Sequence, residues 1–311
     1  MKVLVLGASG LIGSAVAQAL VRGGHIVYGL TRTEEKAKKL ASEEVIPLIG
    51  DVSDTSKWLT SSLISTVDVI ITALGHEADL SKVDPKLLVT ITKLATESRP
   101  SHAPKLTYIY TSGSWLYGQD PNIVLSDTSA VPPAQIPLIA QSRLALEQEI
   151  IGSSTLNGII IRPGCVYGKS GTSLTPLFGQ AKEGNIIRWF IPKAGNETGG
   201  GRLNTIHTDD LAQLYLLAAE KSQLVGGNVF AAVNDATESV DDILTVLVKI
   251  SGAKGFEYSV ASNPFEAAIA STNIVRPYLA RSLLGWRPVK ASVVDHLQIY
   301  FDAWKASNGK A

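Results

Sequence analysis

The sequence predicts an α/β protein with a doubly wound parallel sheet and a smaller, mixed α/β C-terminal part. Short apolar runs alternate with longer amphipathic stretches from residue 2 to residue 162, a glycine-rich turn follows the first run, and glycine, proline and polar residues dominate after residue 162. Runs made almost wholly of Val, Ile and Leu are typical of strands that helices cover on both faces. Their alternation with helical stretches favours a parallel sheet, and the change of composition after residue 162 favours a second structural part of the chain.

The predicted strands and helices of the first part alternate along the chain. Strands are expected at 3–6, 25–30, 45–49, 67–73, 106–111 and 158–161, and helices at 11–22, 34–41, 84–97 and 137–151. The proline-containing segment 119–136 is expected to be a loop beside the site, because long loops in α/β domains commonly carry function. After residue 162 the expected elements are helices at 209–221, 240–251 and 292–305 and a strand at 228–233.

Composition excludes several classes of protein. Lys plus Arg and Asp plus Glu both number 28 among 311 residues, so the whole chain has no net charge to attract nucleic acid or an anionic membrane. The single cysteine, Cys165, cannot form an intramolecular disulfide, and no apolar run reaches the roughly 18 residues of a membrane span. The first predicted strand starts at residue 3, so we expect no signal peptide. We expect a cytoplasmic protein that acts on a small molecule and binds neither nucleic acid nor membrane.

A glycine-rich turn, residues 7–13, lies between the first strand and the first helix. Gly7 permits the tight turn, Gly10 lets the backbone approach a pyrophosphate, and Gly13 lets the helix pack closely on the strand. The helix N-terminus presents N–H groups and a partial positive charge to phosphates. The turn therefore predicts a dinucleotide site, with contacts from Gly7, Ser9, Gly10, Leu11, Ile12 and Gly13.

The end of the second strand indicates which nucleotide binds. Enzymes that use NAD commonly carry an acidic residue here, which accepts a hydrogen bond from the ribose 2′-hydroxyl. This chain has Thr31 followed by Arg32, and Lys36 lies about one helical turn further on. A guanidinium suits a 2′-phosphate, so the sequence favours NADP(H) over NAD(H), with these three residues as contacts. The alternative is that Arg32 is an ordinary solvated charge.

These features divide the chain into two expected domains. Residues 1–163 form a Rossmann domain that binds NADP(H), and residues 164–311 form mainly a cap domain that binds substrate. Roughly residues 203–235 of the second part are expected to return to the Rossmann sheet.

A set of short segments spread over nearly the whole chain follows the order of one known family. The segments are GDV at 50–52, ALG at 73–75, YTSGSWLYG at 110–118, RPGCVYG at 162–168, IHTDDLA at 206–212 and LGWRP at 284–288. Together they resemble the extended short-chain dehydrogenases/reductases, in the NAD-dependent epimerase/dehydratase group. The resemblance implies further cofactor contacts from Asp51, Val52, Ala73, Leu74, Gly75, Thr111, Arg143, Pro163, Gly164 and Val166.

The chain departs from this family at the positions that carry catalysis. In the family, a Tyr-x-x-x-Lys pair on the fifth helix works with a Ser or Thr: the tyrosine moves the proton, and the lysine lowers its pKa and holds the ribose. Alignment puts Ile139 at the tyrosine position, Arg143 at the lysine position and Gly113 at the Ser/Thr position, and the helix-four asparagine falls near Lys86. A guanidinium stays protonated in proteins and is a poor proton shuttle. Ordinary alcohol dehydrogenation is therefore disfavoured.

Hydroxyl groups beside the vacated positions are candidates for catalysis. Ser114 can donate a hydrogen bond to a carbonyl oxygen or an imine nitrogen. Ser112 can do the same from a less favourable position. Either hydroxyl can instead bond its own backbone. The catalytic candidates are Ser114, Arg143 and Ser112.

The expected substrate contacts lie in the same segments and in the cap. Trp115 provides either a flat wall or core packing, and Cys165 is more typical of a small buried hydrophobe than of a nucleophile. Tyr167 fits packing better than acid catalysis, and Arg202 either reads an anionic or carbonyl-rich substrate or is an exposed loop charge. The substrate candidates are Gly113, Trp115, Ile139, Cys165, Tyr167 and Arg202. No spacing of His, Asp and Glu indicates a metal site.

Three functions compete on these observations. The first is an NADPH-dependent reductase of a carbonyl, an imine or an activated alkene, working without the Tyr-Lys pair. The second is an NADP(H)-binding sensor or scaffold without turnover, and the third is a non-redox cyclase, lyase or isomerase. The sequence favours them in that order. The resemblance also implies a homodimer as the candidate assembly.

Overall fold

The structure, a computed structural model, describes residues 1–75, 79–130, 133–169, 171–192, 199–290 and 292–309. Its strands are β1 (Lys2–Leu6), β2 (Ile26–Thr31), β3 (Ile46–Ile49), β4 (Val69–Thr72), β5 (Leu106–Thr111), β6 (Asp120–Ser126), β7 (Leu156–Pro163), β8 (Cys165–Tyr167), β9 (Ile186–Ile191), β10 (Arg202–Leu203), β11 (Thr205–His207), β12 (Val229–Ala232), β13 (Glu238–Ser239), β14 (Gly255–Val260) and β15 (Asn273–Arg276). Its α-helices are α1 (Leu11–Arg22), α2 (Glu34–Ser42), α3 (Ser61–Thr66), α4 (Leu80–Ser98), α5 (Leu138–Ile151), α6 (Thr175–Gln180), α7 (Thr208–Glu220), α8 (Ser222–Val225), α9 (Val240–Ser251), α10 (Pro264–Ile269) and α11 (Leu297–Ser307).

The central sheet confirms the predicted fold class. Over the described residues it has seven strands in the order β12-β7-β5-β4-β1-β2-β3, and the pairings from β3 to β7 are parallel. The strand order reverses at β1, with β2 on one side and β4 on the other. In open parallel sheets ligands bind outside the carboxyl ends of the strands at such a reversal. The glycine turn directly follows β1.

Two compact units divide the chain. The first comprises Met1–Ser112, Ser142–Ile161 and Leu211–Phe230, and the second comprises Gly113–Gln141, Arg162–Asp210 and Ala231–Ala311. The sequence-based division at residue 163 differs from these units chiefly at Gly113–Gln141. This segment, expected to be mostly loop, contains β6, which pairs in parallel with β15 of the second unit. Because β6 and β15 are far apart in the chain, no local sequence pattern near β6 predicts this pairing.

Side chains and glycines at the helix ends determine where the helices begin and stop. Thr33 precedes α2, and its hydroxyl accepts a hydrogen bond from the Lys36 N–H, while acidic residues occupy the first turn. Ser239 caps α9 in the same way, and α9 stops at Gly252, whose φ of 72° is left-handed. Among the described residues, no helix combines the length and the apolar character needed to cross a bilayer.

The core of the first unit lies on both faces of the central sheet. β1 is buried from Val3 to Leu6, and every residue of β4 is buried. The burial does not alternate because helices cover both faces, as the apolar runs predicted. Each fully buried Val, Leu or Ile side chain contributes about 1.5–3 kcal/mol, so these strands anchor the turns that follow them.

The second unit has its own apolar cluster and a hydrogen-bonded link between two of the family-like segments. Phe178 packs edge to face against Phe301 of α11, with ring centroids 5.3 Å apart. Asp210 accepts hydrogen bonds on Oδ2 from the N–H groups of Val289 (3.0 Å) and Lys290 (2.9 Å). The Asp210 side chain therefore joins IHTDDLA to the residues that follow LGWRP.

Candidate functional site

The glycine turn of the first unit brings backbone against backbone. Gly7 has a φ of 83°, in the left-handed region. A Cβ atom at Gly7 would lie 2.5 Å from the Ala73 carbonyl oxygen, and one at Gly13 would lie 2.1 Å from the Gly7 carbonyl oxygen. The Gly10 N–H donates to the same Gly7 oxygen at 2.9 Å. No side chain fits at Gly7 or Gly13, so the turn leaves its backbone groups uncovered for a ligand.

The N-terminus of α1 is suited to anions. Gly10 is the N-cap residue and provides no capping side chain, and the first turn contains no acidic residue. By helix geometry the N–H groups of Leu11, Ile12 and Gly13 point out of this end. Together with the helix dipole they favour phosphate oxygens. The structure therefore brings the predicted glycine-turn contacts together at one helix end.

Ser9 and Thr31 link the glycine turn to the end of β2. Ser9 Oγ and Thr31 Oγ1 lie 3.2 Å apart, and Thr31 is buried. Arg32 and Lys36 are exposed. The Thr31 hydroxyl is thus taken up by Ser9, and the two cations are accessible from solvent.

Asp51 is an exposed acid just after β3. Its Oδ1 accepts hydrogen bonds from the Ser53 hydroxyl (2.5 Å) and the Ser53 N–H (2.8 Å). These bonds, with a smaller contribution from the charge of Arg32, hold the pKa of Asp51 below its usual range. The carboxylate is therefore ionised at neutral pH and acts only as an acceptor, as an adenine amino group requires. Val52 beside it packs partly on the apolar core.

Residues 73–75 and Thr111 lie at the carboxyl ends of β4 and β5. The chain passes from buried Ala73 to exposed Gly75. The Thr111 hydroxyl contacts both the Thr72 carbonyl oxygen and the Tyr215 hydroxyl. Because a carbonyl only accepts, Thr111 donates to Thr72 and Tyr215 donates to Thr111. The Thr111 side chain is thus committed within the first unit, and Thr111 also pairs with Ile161 in the β5–β7 register.

Ser112 carries a buried hydroxyl that is not used by the fold. Its N–H donates to the Ile161 carbonyl oxygen at 2.8 Å, and the residue is 5% exposed. Within the described residues its Oγ has no hydrogen-bond partner. Buried polar atoms almost always have a protein or solvent partner, so this hydroxyl is available to a ligand or a water molecule.

A buried carboxylate on α4 was not foreseen from any sequence motif. Asp84 is 3% exposed, and its Oδ2 accepts a hydrogen bond from the Tyr110 hydroxyl at 2.8 Å. Burial raises the pKa of Asp84, whereas the Tyr110 hydrogen bond and the charge of Arg143 oppose that rise. Lys86, where the family's asparagine position was expected, is exposed. The buried polar position of this helix is therefore two residues earlier, and Arg143 interacts electrostatically with it.

In the second unit, Ser114 and Trp115 begin the 3₁₀ helix Ser114–Tyr117, called the Ser114 turn below. The Asn273 side-chain amide donates to the carbonyl oxygens of Ser114 (3.2 Å) and Gly118 (2.9 Å) and so holds both ends of the turn. Gly113 precedes it in an extended conformation, and a Cβ atom there would have no described atom within 4 Å. The position of the family's Ser/Thr is open space.

Two other predicted substrate residues of the second unit are accessible. Trp115 is half-buried and contacts Phe265 edge to face, with ring centroids 6.2 Å apart. Ile139, in the first turn of α5, is 39% exposed. An exposed apolar side chain therefore lies at the position predicted to match the family's tyrosine, and it has no proton to transfer.

The segment after β7 is held by Asn204. The Gly164 N–H donates to the Ala232 carbonyl oxygen (3.0 Å), and the Cys165 N–H donates to the Asn204 carbonyl oxygen (2.7 Å). A Cβ atom at Gly164 would lie 2.6 Å from that Asn204 oxygen. Burial raises the pKa of the Cys165 thiol to about 12, against a small opposing effect of a Ser173 hydrogen bond. The thiol is therefore protonated at neutral pH and is no nucleophile.

The remaining contacts predicted in β7 and β8 are more deeply buried. Pro163 and Val166 are buried. The Val166 N–H donates to Ser173 Oγ (3.3 Å), and its carbonyl oxygen accepts from the Ser173 N–H (2.7 Å). Because both backbone groups of Val166 bond Ser173, a cofactor contact at Val166 would have to share them.

Tyr167 lies in the core of the second unit. It is 1% exposed, its ring contacts His207 and Tyr300 edge to face, and its hydroxyl accepts from the Asn234 side-chain amide at 3.1 Å. Burial raises the pKa of Tyr167. His207 is also buried, which lowers its pKa, and its Nδ1 accepts from the Asp209 N–H at 3.1 Å. Both residues have structural roles here.

Arg202 is exposed but engaged. Its Nε donates to Thr237 Oγ1 (2.6 Å) and one terminal nitrogen donates to the Thr237 carbonyl oxygen (2.5 Å). The guanidinium therefore fastens β10 to β13, and these donors are not available to a substrate phosphate. Within the described residues no group of three or more His, Cys, Asp or Glu could hold a metal ion.

The chain resembles known proteins over nearly its full length. The model of the NAD dependent epimerase/dehydratase family matches residues 3–232. An uncharacterized protein of Schizosaccharomyces pombe is 25% identical over 311 residues, which cover 96% of this chain and 98% of that protein. The 4-hydroxy-2-methyl-3-oxo-4-farnesyl-3,4-dihydroquinoline-1-oxide ketoreductase of Stigmatella aurantiaca is 24% identical over 282 residues, 88% of this chain and 79% of the relative. The UDP-glucuronic acid 4-epimerase of Bacillus cereus, solved with UDP-glucuronic acid and NAD, has a TM-score of 0.74 at 22% identity and covers 98% of this chain and 99% of its own.

The matched region contains the glycine turn, Asp51 and Arg143, all of which lie in the first unit. Proteins of this family and its structural neighbours bind NAD(H) or NADP(H). Their activities include reduction and epimerisation. The chain belongs to the NAD-dependent epimerase/dehydratase family of the extended short-chain dehydrogenases/reductases.

Proposed function

We propose that the protein is an NADPH-dependent reductase of a small organic carbonyl, imine or activated alkene that works without the Tyr-Lys pair of its family. The observation that carries the proposal is a glycine turn closed to any side chain together with an exposed cation, Arg32, at the end of β2. Backbone N–H groups at a helix end suit a pyrophosphate, and a guanidinium suits a 2′-phosphate. The similarity to a ketoreductase supports carbonyl reduction.

Each cofactor-binding residue of the first unit has one task in this proposal. A bound nicotinamide supplies the hydride that the acceptor takes up. The N–H groups at the start of α1 hold the pyrophosphate, Arg32 binds the 2′-phosphate, and Asp51 accepts a hydrogen bond from the adenine. Arg143 donates hydrogen bonds to ribose hydroxyls but does not release a proton, because a guanidinium stays protonated in proteins.

Ser114 is the residue proposed to polarise the acceptor. Asn273 holds its turn at both ends, so the backbone that carries the hydroxyl is fixed before a substrate arrives and little backbone reorganisation is needed. Ser114 donates a hydrogen bond to the carbonyl oxygen or the imine nitrogen. The proton that completes reduction comes from water or from the substrate, because Gly113 and Ile139 have none to give. The buried Ser112 hydroxyl is the second candidate.

The first experiment is a fluorescence titration of the purified protein with NADPH and, separately, with NADH. Tight NADPH binding with weak NADH binding is expected, followed by loss of NADPH absorbance with a panel of ketones, imines and activated alkenes. Cofactor binding without any turnover would favour a sensor. Binding of neither nucleotide would overturn the proposal and leave a function that needs no nicotinamide.

Arg32→Glu tests the choice of nucleotide. The new carboxylate repels a 2′-phosphate and accepts from a 2′-hydroxyl, so we expect NADPH affinity to fall by about tenfold or more while NADH affinity holds or rises. Lys39→Glu, an equal charge change in the last turn of α2, is the matched control. Equal selectivity in Arg32→Glu and wild type would show that Arg32 does not read the phosphate.

A further inference from the structure

Trp115 and Phe265, called the aromatic pair below, form an apolar surface in the second unit. Their ring centroids are 6.2 Å apart at an interplanar angle of 84°, an edge-to-face contact. Phe265 remains 46% exposed and Trp115 is half-buried. Trp115 directly follows Ser114, whose hydroxyl is the proposed hydrogen-bond donor. The aromatic pair therefore begins one residue along the chain from the proposed hydrogen-bond donor.

The backbone on the Trp115 side is fixed by two buried amides. The Asn273 side chain holds both ends of the Ser114 turn. Asn204 in turn donates to the Asn273 carbonyl oxygen at 3.0 Å and to its Oδ1. Both asparagines are more than nine-tenths buried, so water competes little for these bonds. Trp115 is thus presented on a rigid support.

The backbone on the Phe265 side is fixed by a strong helix cap. α10 starts with Pro264 after Asn263, whose Oδ1 accepts from the N–H groups of Phe265 (3.1 Å) and Glu266 (3.0 Å). Glu266 reaches back and accepts from the Ser262 N–H at 2.7 Å and the Ser262 hydroxyl at 2.6 Å. Reciprocal capping of this kind fixes the first turn of a helix. The exposed ring is therefore carried by an ordered element rather than by a loose loop.

An exposed aromatic pair on rigid supports selects for flat apolar groups. Aromatic rings bind one another in offset-stacked or edge-to-face geometry and gain attraction beyond the area they bury. Supports fixed in advance lower the entropy cost of binding. A nucleotide sugar instead needs cations for its diphosphate, and Arg202, predicted to read an anionic or carbonyl-rich substrate, already gives two of its five N–H donors to Thr237.

We infer that the aromatic pair is the specificity element of the substrate site, and that the substrate is a carbonyl compound with an aromatic ring next to the reacting group. Phe265 is the specificity-determining residue, since it completes the surface that Trp115 begins. This inference rests on the proposed function, because it names the substrate class of the same site. Its test measures binding without turnover, so the two can fail separately.

The test uses the protein saturated with NADP⁺, or with NAD⁺ if the titration prefers it, so that no reduction can occur. Dissociation constants are measured by calorimetry for 1-phenylpropane-1,2-dione, butane-2,3-dione and UDP-glucose. Wild type is expected to bind the phenyl dione at least tenfold more tightly than butane-2,3-dione. UDP-glucose is expected to bind more weakly than the phenyl dione.

Variants then assign this preference to the ring. Phe265→Ala is expected to lower the preference about tenfold, the size of one aromatic contact, and Phe265→Leu several-fold, because leucine keeps apolar area without a ring. Ile299→Ala, which truncates a 62% exposed residue of α11, is the control and keeps the wild-type preference. Melting temperatures confirm that each variant folds.

Three results would overturn the inference: a preference that Phe265→Ala leaves within twofold of wild type, a wild type that binds neither dione, or a wild type that binds UDP-glucose more tightly than the phenyl dione. A wild type that binds the phenyl dione through Phe265 but does not oxidise NADPH with it supports the aromatic site. That same result counts against the proposed reductase.

Discussion

The chain has two glycine-bounded turns that differ in why glycine is there. In the turn that follows β1, side chains at Gly7 and Gly13 would collide with backbone oxygens at 2.5 Å and 2.1 Å. At the turn that follows β5, Gly113 is extended and a side chain there would meet open space. The first turn needs glycine for its geometry, whereas the fold has room for a side chain at Gly113.

The two turns therefore tolerate substitutions differently. The glycine turn could not keep its backbone path with other residues at Gly7 and Gly13, because the nearest atoms are the carbonyl oxygens of Ala73 and Gly7, which are held in the backbone. Gly113, predicted to lie at the family's Ser/Thr position, carries no such constraint, so the fold has no steric need for glycine there. We therefore expect the first unit to respond to steric substitutions and the Ser114 turn to respond to loss of hydrogen bonds.

The largest effect is expected for Gly13→Ala. The added methyl overlaps the Gly7 carbonyl oxygen, so α1 must move away from β1 at a cost of about 3 kcal/mol, with loss of NADPH binding. Urea unfolding and cofactor titration measure the two effects. The matched control, Gly113→Ala, should stay within about 0.5 kcal/mol of wild type. Equal stability of the two variants would abolish the distinction between the turns.

A smaller effect is expected for Asn273→Ala. This variant removes the amide that holds both ends of the Ser114 turn and should cost about 2 kcal/mol, because two carbonyl oxygens lose their donor. Hydrogen exchange should speed up at residues 114–118 and stay unchanged at residues 10–13. Asn122→Ala, at an exposed position of β6, is the control. Unchanged exchange at the Ser114 turn would mean that Asn273 does not hold it.

The smallest effect is expected for the pH dependence of stability that His207 causes. His207 is tightly packed: a Cβ atom at Gly168 would lie 2.2 Å from its Nε2 atom. Burial lowers the pKa of His207 from its ordinary value of 6.5, with Asp209 opposing and Lys290 assisting this shift. The folded protein therefore binds fewer protons than the unfolded chain, so stability falls as the pH drops below about 6.5. Each proton changes the free energy of unfolding by at most about 1.4 kcal/mol per pH unit.

His207→Gln should flatten this acid dependence, measured as urea midpoints between about pH 5 and 7. His102→Gln, in an exposed segment, is the control and should retain the wild-type slope. An identical slope in His207→Gln and wild type would show that His207 is not held neutral by burial.

Local patterns predicted the first unit well. The helix predicted at 11–22 and the strand predicted at 106–111 have those bounds in the structure, because a continuous apolar run or a helical period is a property of the segment itself. β6 was missed because its partner, β15, lies about 150 residues away and the segment contains a proline.

The polar residues of the site were harder to predict than the glycines. A glycine turn between a strand and a helix has few other meanings, so residues 7–13 could be assigned from the sequence. No local pattern marks Asp84 among the residues of α4 as buried. Its side chain bonds Tyr110 in β5, a contact that only the tertiary structure shows. Asn204 and Asn273 likewise acquire a role only through contacts with each other and with the Ser114 turn.

The interleaved segments of the two units have a consequence for synthesis on the ribosome. A nascent chain that ends at Ser112 contains β1 to β5 but lacks β7, the partner of one edge of β5. The first unit is complete only when Phe230 has emerged, after two excursions into the second unit. Until β7 (Leu156–Pro163) has emerged, one edge of β5 exposes unpaired backbone N–H and C=O groups, which favours pairing with other chains. Slow translation or shortage of chaperones should therefore lower the yield of this protein more than that of one whose sheet is built from a single continuous segment.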